Sequence, residues 1–298
     1  MRHLLYEIVH TTTYDYVGNV AVSHHLLRLT PRQDGRQRCL SHELAVQPGP
    51  SANTEHSDYF GNKTRFIAVE RPHQQLVVSS SSRVAVSPAS IPEPTETPSW
   101  ESVRAQCRGD HSGQALEAHE FTYPSPLVSV GPEFTQYASN SFTAGRPVLD
   151  AVVDLTRRIY ADFKFDPGAT TVTTPVSEFF ARRRGVCQDF AQFEVACLRS
   201  LGLPARYVSG YLETDPPPGQ TKLRGADASH AWVSFFCPGL GWIDADPTNQ
   251  CLPSLRHITI GWGRDYGDVC PVRGVLVGGR GQKLSVSVDV VAHGAVDL

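Results

Sequence analysis

The sequence predicts an α+β protein in which an antiparallel, β-sandwich-like N-terminal domain precedes a core with a cysteine-bearing helix packed on an antiparallel sheet. Short runs rich in Thr, Tyr, Ile and Val recur between residues 6 and 86, at the spacing of strands in a sandwich. Apolar residues then repeat in steps of three and four over residues 148–162 and again after Gly185, which indicates helices. Residues 229–246 alternate in polarity around a Pro-Gly turn, as an antiparallel hairpin does.

The composition is that of an ordinary globular protein. The 298 residues suffice for about two domains, 40% of them are hydrophobic, and the formal net charge is -3. Because no long block of one charge sign occurs, we expect neither nucleic acid nor a membrane as a partner. The N-terminus lacks a signal-peptide core and no stretch reaches the ~18 apolar residues of a membrane span, so a cytoplasmic location is expected. Seven cysteines without C-x-x-C spacing argue against disulfides and zinc, and no motif predicts a cofactor or a metal.

The N-terminal β domain is assigned to residues 1–87. Its predicted strands are 6–16, 20–29, 75–86 and two that flank a Gly-Asn turn at 58–62. Residues 88–99 contain four prolines among Ser, Thr and Glu, which is typical of a stiff, extended linker. Residues 100–298 are assigned to the second domain, including strands near its C-terminal end.

Helical patterns are uneven along the second domain. Residues 100–145 show a weak pattern, with short helices expected at 101–107 and 132–140. Residues 148–162 place apolar side chains on one face and end before an Asp-Pro-Gly turn, which predicts an amphipathic helix. A further short helix at 175–180 leads into three consecutive arginines.

A cysteine stands at the start of the best-defined helix of this domain. Apolar residues at 186, 190, 193, 197 and 201 form one buried stripe, and Gly202 and Pro204 end the helix. Cys187 therefore lies at the positive end of the helix dipole, where free backbone N–H groups favour a thiolate over a thiol. An inert, buried cysteine is the alternative at this point, because most unpaired cysteines pack as small hydrophobes.

A histidine and an aspartate share one face of the predicted hairpin. The apolar face carries Ala231, Val233, Phe235, Ile243 and Ala245, and the other face carries His230, Trp232, Ser234, Trp242, Asp244 and Asp246. Matching the faces puts Asp246 directly opposite His230 or one diagonal step away. Asp246 can then accept the Nδ1–H of the imidazole and leave the other ring nitrogen to take a thiol proton. Asp244 is the rival orienter, and a histidine facing water is the alternative role for His230.

The order cysteine, histidine, aspartate along the chain is that of a papain-like nucleophilic site. The runs GVCQDFAQ, GLPARYVSGYL, SHAWVSF, GWIDADPTNQ and GRDYGDVCPVRG, with TTTYDY and LRLTPR near the start, resemble the bacterial transglutaminase-like proteins over nearly the whole chain. The resemblance implies a β-rich N-terminal domain joined to a papain-like transglutaminase core, with Cys187 as nucleophile, His230 as base and Asp246 as its orienter. Gln192 stands where many members carry histidine, so the resemblance gives that position no role.

The expected chemistry is thiol-dependent acyl transfer on an amide bond of a peptide or protein. The backbone N–H of Cys187 is the first expected donor to the oxyanion, and Gln188 and Trp232 are candidates for the second donor or for lining the cleft. Hydrolysis by a cysteine peptidase or amidase is the leading interpretation. Transfer to an amine and a non-catalytic binding module are the alternatives. Residues 263–268 either rim the cleft or form a turn held by an Arg–Asp pair.

Overall fold

The described residues form two antiparallel sheets, with helices packed on the second, and one short parallel pair of strands. A computed structural model describes residues 2–110, 113–215 and 229–297. The predicted α+β class, with an N-terminal β domain, is confirmed. The strands are β1 (Arg2–Leu27), β2 (Gln37–Gln47), β3 (Ala52–Ser57), β4 (Lys63–Val69), β5 (His73–Val86), β6 (Lys164–Phe165), β7 (Arg184–Gly185), β8 (Ala205–Leu212), β9 (Ser229–Cys237), β10 (Gly241–Ala245), β11 (His257–Gly263), β12 (Val272–Gly278) and β13 (Gln282–Asp297). The helices are α1 (Trp100–Gly109), α2 (Gly113–His119), α3 (Pro132–Ser139), α4 (Val148–Asp162), α5 (Val176–Arg182), α6 (Cys187–Ser200) and α7 (Tyr266–Val269). Within the described ranges, no helix is both long and apolar enough to cross a membrane.

The first sheet is built around one long strand. Its order is β2-β5-β1-β4-β3, and β12 and β13 also pair with β1. The first part of β1 lies between β5 and β13, and its last part lies between β4 and β12. The sequence predicts two strands here, at 6–16 and 20–29. The backbone instead continues as one strand through Gly18, whose φ of +89° is easily adopted only by glycine.

The two C-terminal strands correct the domain assignment made from the sequence. We assigned residues 100–298 to one domain, but β12 and β13 hydrogen-bond to β1 and complete the first sheet. The alternation of residues along a strand indicates which face is buried but not which distant strand it pairs with. The first domain therefore comprises the N-terminal strands together with residues 272–297.

The predicted linker packs against the second domain. Residues 88–99 include a 3-10 turn at Pro94–Glu96, and Thr97 is buried. Thr97 Oγ1 donates to Pro94 O at 2.8 Å and accepts the backbone N–H of Leu149 at 3.2 Å, at the start of α4. The prolines therefore shape a packed connection and not the extended spacer that we expected.

The second sheet has the order β10-β9-β8-β11 and carries the predicted hairpin as β9 and β10. The residues assigned to the apolar face of the hairpin all belong to one large core cluster that also contains the apolar residues of α6. Helix α6 thus packs on this face. The alternation of the sequence predicted the buried face of the hairpin correctly.

The two sheets are joined by a second apolar cluster. It contains residues of β1, β5 and β13 from the first sheet and of β8 and β11 from the second: Tyr6, Ile8, Val84, Val86, Tyr211, Ile258, Ile260, Val288 and Val290. Polar contacts add to it, since Tyr6 donates to Glu213 Oε2 at 3.0 Å and His10 Nδ1 lies 2.8 Å from Tyr211 Oη. Burial lowers the pKa of His10 to about 4. The position of β8 and β11 therefore depends on the first domain.

Helix α6 is buried on nearly all sides, not along one stripe. It lies between the sheet and helices α3 to α5, so its polar residues need partners inside the protein. Arg199, near the C-terminal end of the helix, donates to the Ser125 hydroxyl at 3.3 Å. It also donates at 2.7–3.1 Å to three backbone oxygens, those of Ala205, Tyr123 and Arg264. The apolar spacing predicted one buried stripe, as on a surface helix. Helix α6 is instead a central helix that is enclosed on several faces.

Glu194, near the middle of α6, is fully buried. Thr156 Oγ1 donates to Glu194 Oε1 at 2.7 Å and also lies 2.8 Å from Val152 O. Burial raises the pKa of Glu194 to about 8, although the hydrogen bond from Thr156 acts in the opposite direction.

Phe193 lies at the centre of an aromatic cluster beneath α6. It is fully buried, and its ring centroid lies 4.8–5.9 Å from those of Phe134, Tyr137, Phe163, Phe179 and Phe180. We expect Phe193→Ala to lower the free energy of unfolding by about 3–5 kcal/mol, because it removes buried apolar area and leaves a cavity. Urea denaturation measures this loss. Phe165→Ala is the matched control, because Phe165 is 52% exposed and its removal should change stability by less than about 1 kcal/mol. Equal losses in the two variants would contradict the central role of Phe193.

Candidate active site

Cys187 is the first residue of α6, and its neighbours fix the start of the helix. The carboxylate of Asp189 accepts the backbone N–H of Val186 at 2.8 Å and the hydroxyl of Thr170 at 2.6 Å. The third helical residue thus reaches back to the residue before the helix, as in a capping box. A Cβ on Gly185 would lie 2.5 Å from Asp189 Oδ2, so glycine makes room for this carboxylate. Cys187 is half-buried at the end of the helix where backbone N–H groups lack helical partners.

His230 and Asp246 meet across the hairpin. Their atoms Nε2 and Oδ2 are 2.7 Å apart, and both residues are buried. Ala245 pairs with Val233, so the next step along β10 places Asp246 opposite Trp232 and one diagonal step from His230. This is the second of the two registers that the sequence allowed.

The nitrogen of His230 that faces Asp246 differs from our expectation. We expected Asp246 to accept Nδ1–H, but the contact is made by Nε2. The diagonal register turns the ring so that its far nitrogen reaches the carboxylate. Nδ1 is the other ring nitrogen, and the thiol of Cys187 is among the groups that raise the pKa of this imidazole.

The electrostatics of this pair favour an imidazolium and a carboxylate. Burial opposes the charged ring, but hydrogen bonds to Asp246 and Cys187 and the charge of Asp246 outweigh it and raise the pKa of His230 to about 10. Burial also opposes the charged form of Asp246, but hydrogen bonds from His230 and His257 lower its pKa below the usual range. Protonation of His230 therefore stabilises the folded state fully below about pH 6.5, its unfolded pKa, and this contribution declines as the pH rises through about 10.

The carboxylate of Asp246 accepts hydrogen bonds from four other groups besides its contact with His230. Oδ1 accepts the backbone N–H of Thr248 at 2.9 Å and that of Asn249 at 3.2 Å. Oδ2 lies 2.7 Å from Nδ2 of Asn249 and 3.0 Å from Nε2 of His257. The buried charge is therefore fully surrounded by donors, as a buried carboxylate requires.

The sequence analysis missed Asn249 and His257 as neighbours of the site. Asn249 could have been found, because an aspartate followed by Pro-Thr-Asn is a typical side-chain-stabilised turn that brings the third residue back to the carboxylate. His257 could not have been found in this way. It pairs with Leu212 at the first position of β11, and the sequence alone does not indicate that β11 lies beside β8.

The other predicted site residues have defined contacts of their own. Asp244, the rival orienter, lies 3.8 Å from the guanidinium of Arg36 and forms neither a hydrogen bond nor an ion pair with His230. The amide of Gln188 is buried and donates to Val172 O at 3.1 Å. Trp232 is fully buried, so its indole N–H is closed to a substrate oxygen in this arrangement. Gln188 remains the candidate for a second oxyanion donor.

Residues 263–268 lead from the end of β11 into α7 and are held by the Arg–Asp ion pair that was one of the two roles expected from the sequence. Arg264 Nε and Nη2 donate to the two carboxylate oxygens of Asp268 at 2.9 and 3.0 Å. The side-chain oxygen of Gln192 accepts the backbone N–H of Tyr266 at 3.4 Å, so Gln192 links α6 to this segment.

A glycine allows the rings of the site to lie across β8. Gly210 stands between His230 on β9 and Thr259 on β11. A Cβ at this position would lie 2.5 Å from the ring of Trp232 and 2.1 Å from the backbone oxygen of Ile258. Since neither neighbour can retreat from such a contact without a backbone shift, a side chain at Gly210 is incompatible with this packing.

Three of these residues have the donor set of a metal site. One ligand atom each from His230, Asp246 and His257 lies within 4.8 Å of the others. Two imidazoles and a carboxylate suit Zn²⁺ or Fe²⁺. An ion bound here would displace the proton between His230 Nε2 and Asp246 Oδ2.

Comparisons with known proteins identify the family. Residues 6–85 match the bacterial transglutaminase-like N-terminal region, and residues 135–247 match the transglutaminase-like superfamily. An uncharacterized protein of Mycobacterium tuberculosis is 40% identical over 291 residues, which cover 96% of this chain and 92% of that protein. The chain therefore belongs to the transglutaminase-like superfamily.

Two further relatives are more distant. A protein-glutamine gamma-glutamyltransferase of Pseudomonas aeruginosa is 33% identical over 129 residues, which cover 37% of this chain and 19% of that protein. A crystal structure of a candidate cysteine protease from Cytophaga hutchinsonii superposes with a TM-score of 0.74 at 20% identity, covering 99% of this chain and 92% of that one. The second match shows that the two proteins share a fold.

Replacement of the buried carboxylate tests the electrostatics of the pair. We expect Asp246→Asn to lower the pKa of His230 by about 1–3 pH units, because burial then acts on the imidazolium without the opposing charge. An NMR titration of the histidine Cε1–H resonance measures this. Asp244→Asn is the matched control on the same strand, and it should leave the titration unchanged because Asp244 faces Arg36. An unchanged titration in Asp246→Asn would contradict the assignment.

Proposed function

We propose that this protein is a thiol-dependent acyl-transfer enzyme in which Cys187 is the nucleophile, His230 the acid–base group and Asp246 the orienter. The observation that carries the proposal is the contact of His230 Nε2 with Asp246 Oδ2 at 2.7 Å, on a ring whose pKa Cys187, at the start of α6, also helps to raise. A cysteine and a histidine in contact, with a third group holding the histidine, are the parts that an activated thiol needs.

The proposed reaction has two steps. The sulfur of Cys187 attacks the carbonyl carbon of an amide, and His230 gives its proton to the departing nitrogen as the C–N bond breaks. The acyl group stays on the sulfur as a thioester. Water or an amine then attacks the thioester, gives a proton to His230, and releases the sulfur. The backbone N–H of Cys187 and the amide of Gln188 are the proposed donors to the oxyanion.

We propose hydrolysis of a peptide or protein amide as the main reaction, as expected from the sequence. Transfer to an amine is the second candidate, because the relative of Pseudomonas aeruginosa that matches 37% of this chain is named as a glutamine gamma-glutamyltransferase. The two reactions share the first step and differ in the molecule that accepts the acyl group. Which reaction occurs therefore depends on how well the site admits an amine.

One incubation distinguishes the two reactions. The protein is mixed with a glutamine-containing peptide and a labelled primary amine, and the products are analysed by mass spectrometry. Hydrolysis gives a cleaved peptide or a free acid without label, and amine transfer gives a labelled peptide. We expect Cys187→Ala to abolish either product, with a loss of at least about 1,000-fold. If neither product forms with several classes of peptide, the result favours the non-catalytic binding module.

The pH dependence of alkylation tests the state of the thiol without a substrate. Because the pKa of His230 is raised to about 10, an imidazolium faces the sulfur of Cys187 throughout the neutral range. We expect iodoacetamide to alkylate Cys187 at pH 6.5 at least about 10-fold faster than in His230→Gln, since a nearby cation favours the thiolate. Mass spectrometry assigns the reaction to Cys187, and Cys39, also half-buried, serves as an internal control. Equal rates in the two proteins would count against an activated thiol.

A further inference from the structure

We infer that His257 is a positioning residue, which holds the Asp246 carboxylate in the orientation that points His230 at Cys187. The inference rests on the proposed function and adds to it a fourth side chain. Nε2 of His257 lies 3.0 Å from Oδ2 of Asp246, the same oxygen that is 2.7 Å from Nε2 of His230. Two imidazoles from different strands thus share one carboxylate oxygen.

The protons in this arrangement can be assigned from the contacts. Asp246 is ionised and can only accept, so each of the two imidazoles donates from Nε2. The other nitrogen of His257, Nδ1, is buried and has no partner among the described residues. The Nε2–H of His257 is therefore the contact through which this residue acts on Asp246.

The ring of His257 is fixed by its surroundings. Trp232 packs edge-on against it, with ring centroids 5.2 Å apart and an interplanar angle of 82°. The ring of His230 lies 5.9 Å away on the same carboxylate. Trp232 can occupy this place because Gly210 has no side chain. The packing that places Trp232 next to the site therefore also holds the ring of His257 against Asp246.

Loss of the His257 donor should change both turnover and the pKa of His230, each in a defined direction. Each donor to Oδ2 disperses the negative charge of Asp246, so loss of the His257 donor leaves a stronger partner for the His230 proton. The same loss lets the carboxylate turn about its axis, which the backbone bonds to Oδ1 only partly resist. Removal of the donor should therefore slow turnover and raise the pKa of His230. A side chain that merely fills space would do neither.

Other titratable groups face this carboxylate and must be kept constant. Glu194 of α6, whose pKa burial raises to about 8, and Cys251, whose pKa burial raises to about 11, both interact with Asp246. Cys187 interacts with His230 and helps to raise the pKa of its imidazole. These groups are present in every variant below, so differences between variants report on His257.

The test compares two substitutions. His257→Phe keeps a ring against Trp232 but removes the donor, and His257→Gln keeps an N–H donor. We expect His257→Phe to lower kcat by about 10- to 100-fold with KM changed less than about 3-fold, as for other groups that orient a functional side chain. We also expect it to raise the pKa of His230 by about half a pH unit or more in an NMR titration. His257→Gln should recover a large part of both properties.

His10→Phe is the matched control. His10 is also buried and bonded to side chains, those of Tyr211 and Thr12, but it lies outside the site. Its replacement should alter stability without moving the His230 titration. If His257→Phe behaves like His10→Phe, or if His257→Gln is as impaired as His257→Phe, the positioning role is overturned.

A measurement on the unmodified protein covers the case in which a variant does not fold. Nitrogen-15 shifts of the histidine rings report directly which nitrogens carry a proton, and an Nε2 of His257 without a proton would overturn the inference. The titration and the tautomer need no substrate. A protein that shows the expected coupling of His257 to His230 but no acyl transfer would therefore reject the proposed function and not the coupling.

Discussion

The site depends on one buried negative charge. The carboxylate of Asp246 is fully buried, and such a charge is tolerated only where donors surround it. The chain supplies them from a tight turn after β10, from β9 and from β11. Since β11 is itself packed on the first sheet, the environment of this one carboxylate requires both domains to be in place. His230 is therefore correctly oriented only when the two domains are correctly assembled.

The sequence predicted the parts of this site that are local. Alternation along residues 229–246 identified the buried face of the hairpin, and the spacing after Gly185 identified the helix that begins at Cys187. Both are short-range patterns, in which a side chain's direction follows from its position in one element. The choice of ring nitrogen on His230 was wrong because it depends on whether the carboxylate lies directly opposite or diagonally, a difference of one register step.

The sequence did not predict what depends on distant strands. His257 reaches Asp246 only because β11 lies beside β8, and β12 and β13 complete a sheet that begins more than 240 residues earlier in the chain. The long strand β1 was predicted as two strands, and its pairing with β5 is interrupted between Asp15 and Val20, although the backbone continues as one strand through Gly18. The buried polar residues of α6 were also missed, since a polar residue normally indicates a surface and only the final packing gives Glu194 and Arg199 their partners.

The pairing of β1 with β13 has a consequence for how the molecule is made. During synthesis, the N-terminal half of β1 can pair with β5 early, but its other edge stays open until residues 282–297 have left the ribosome. An open strand edge is a site where other chains can add and aggregate. That edge is therefore open to such addition until the last strand is made, and β13 covers it in the finished protein.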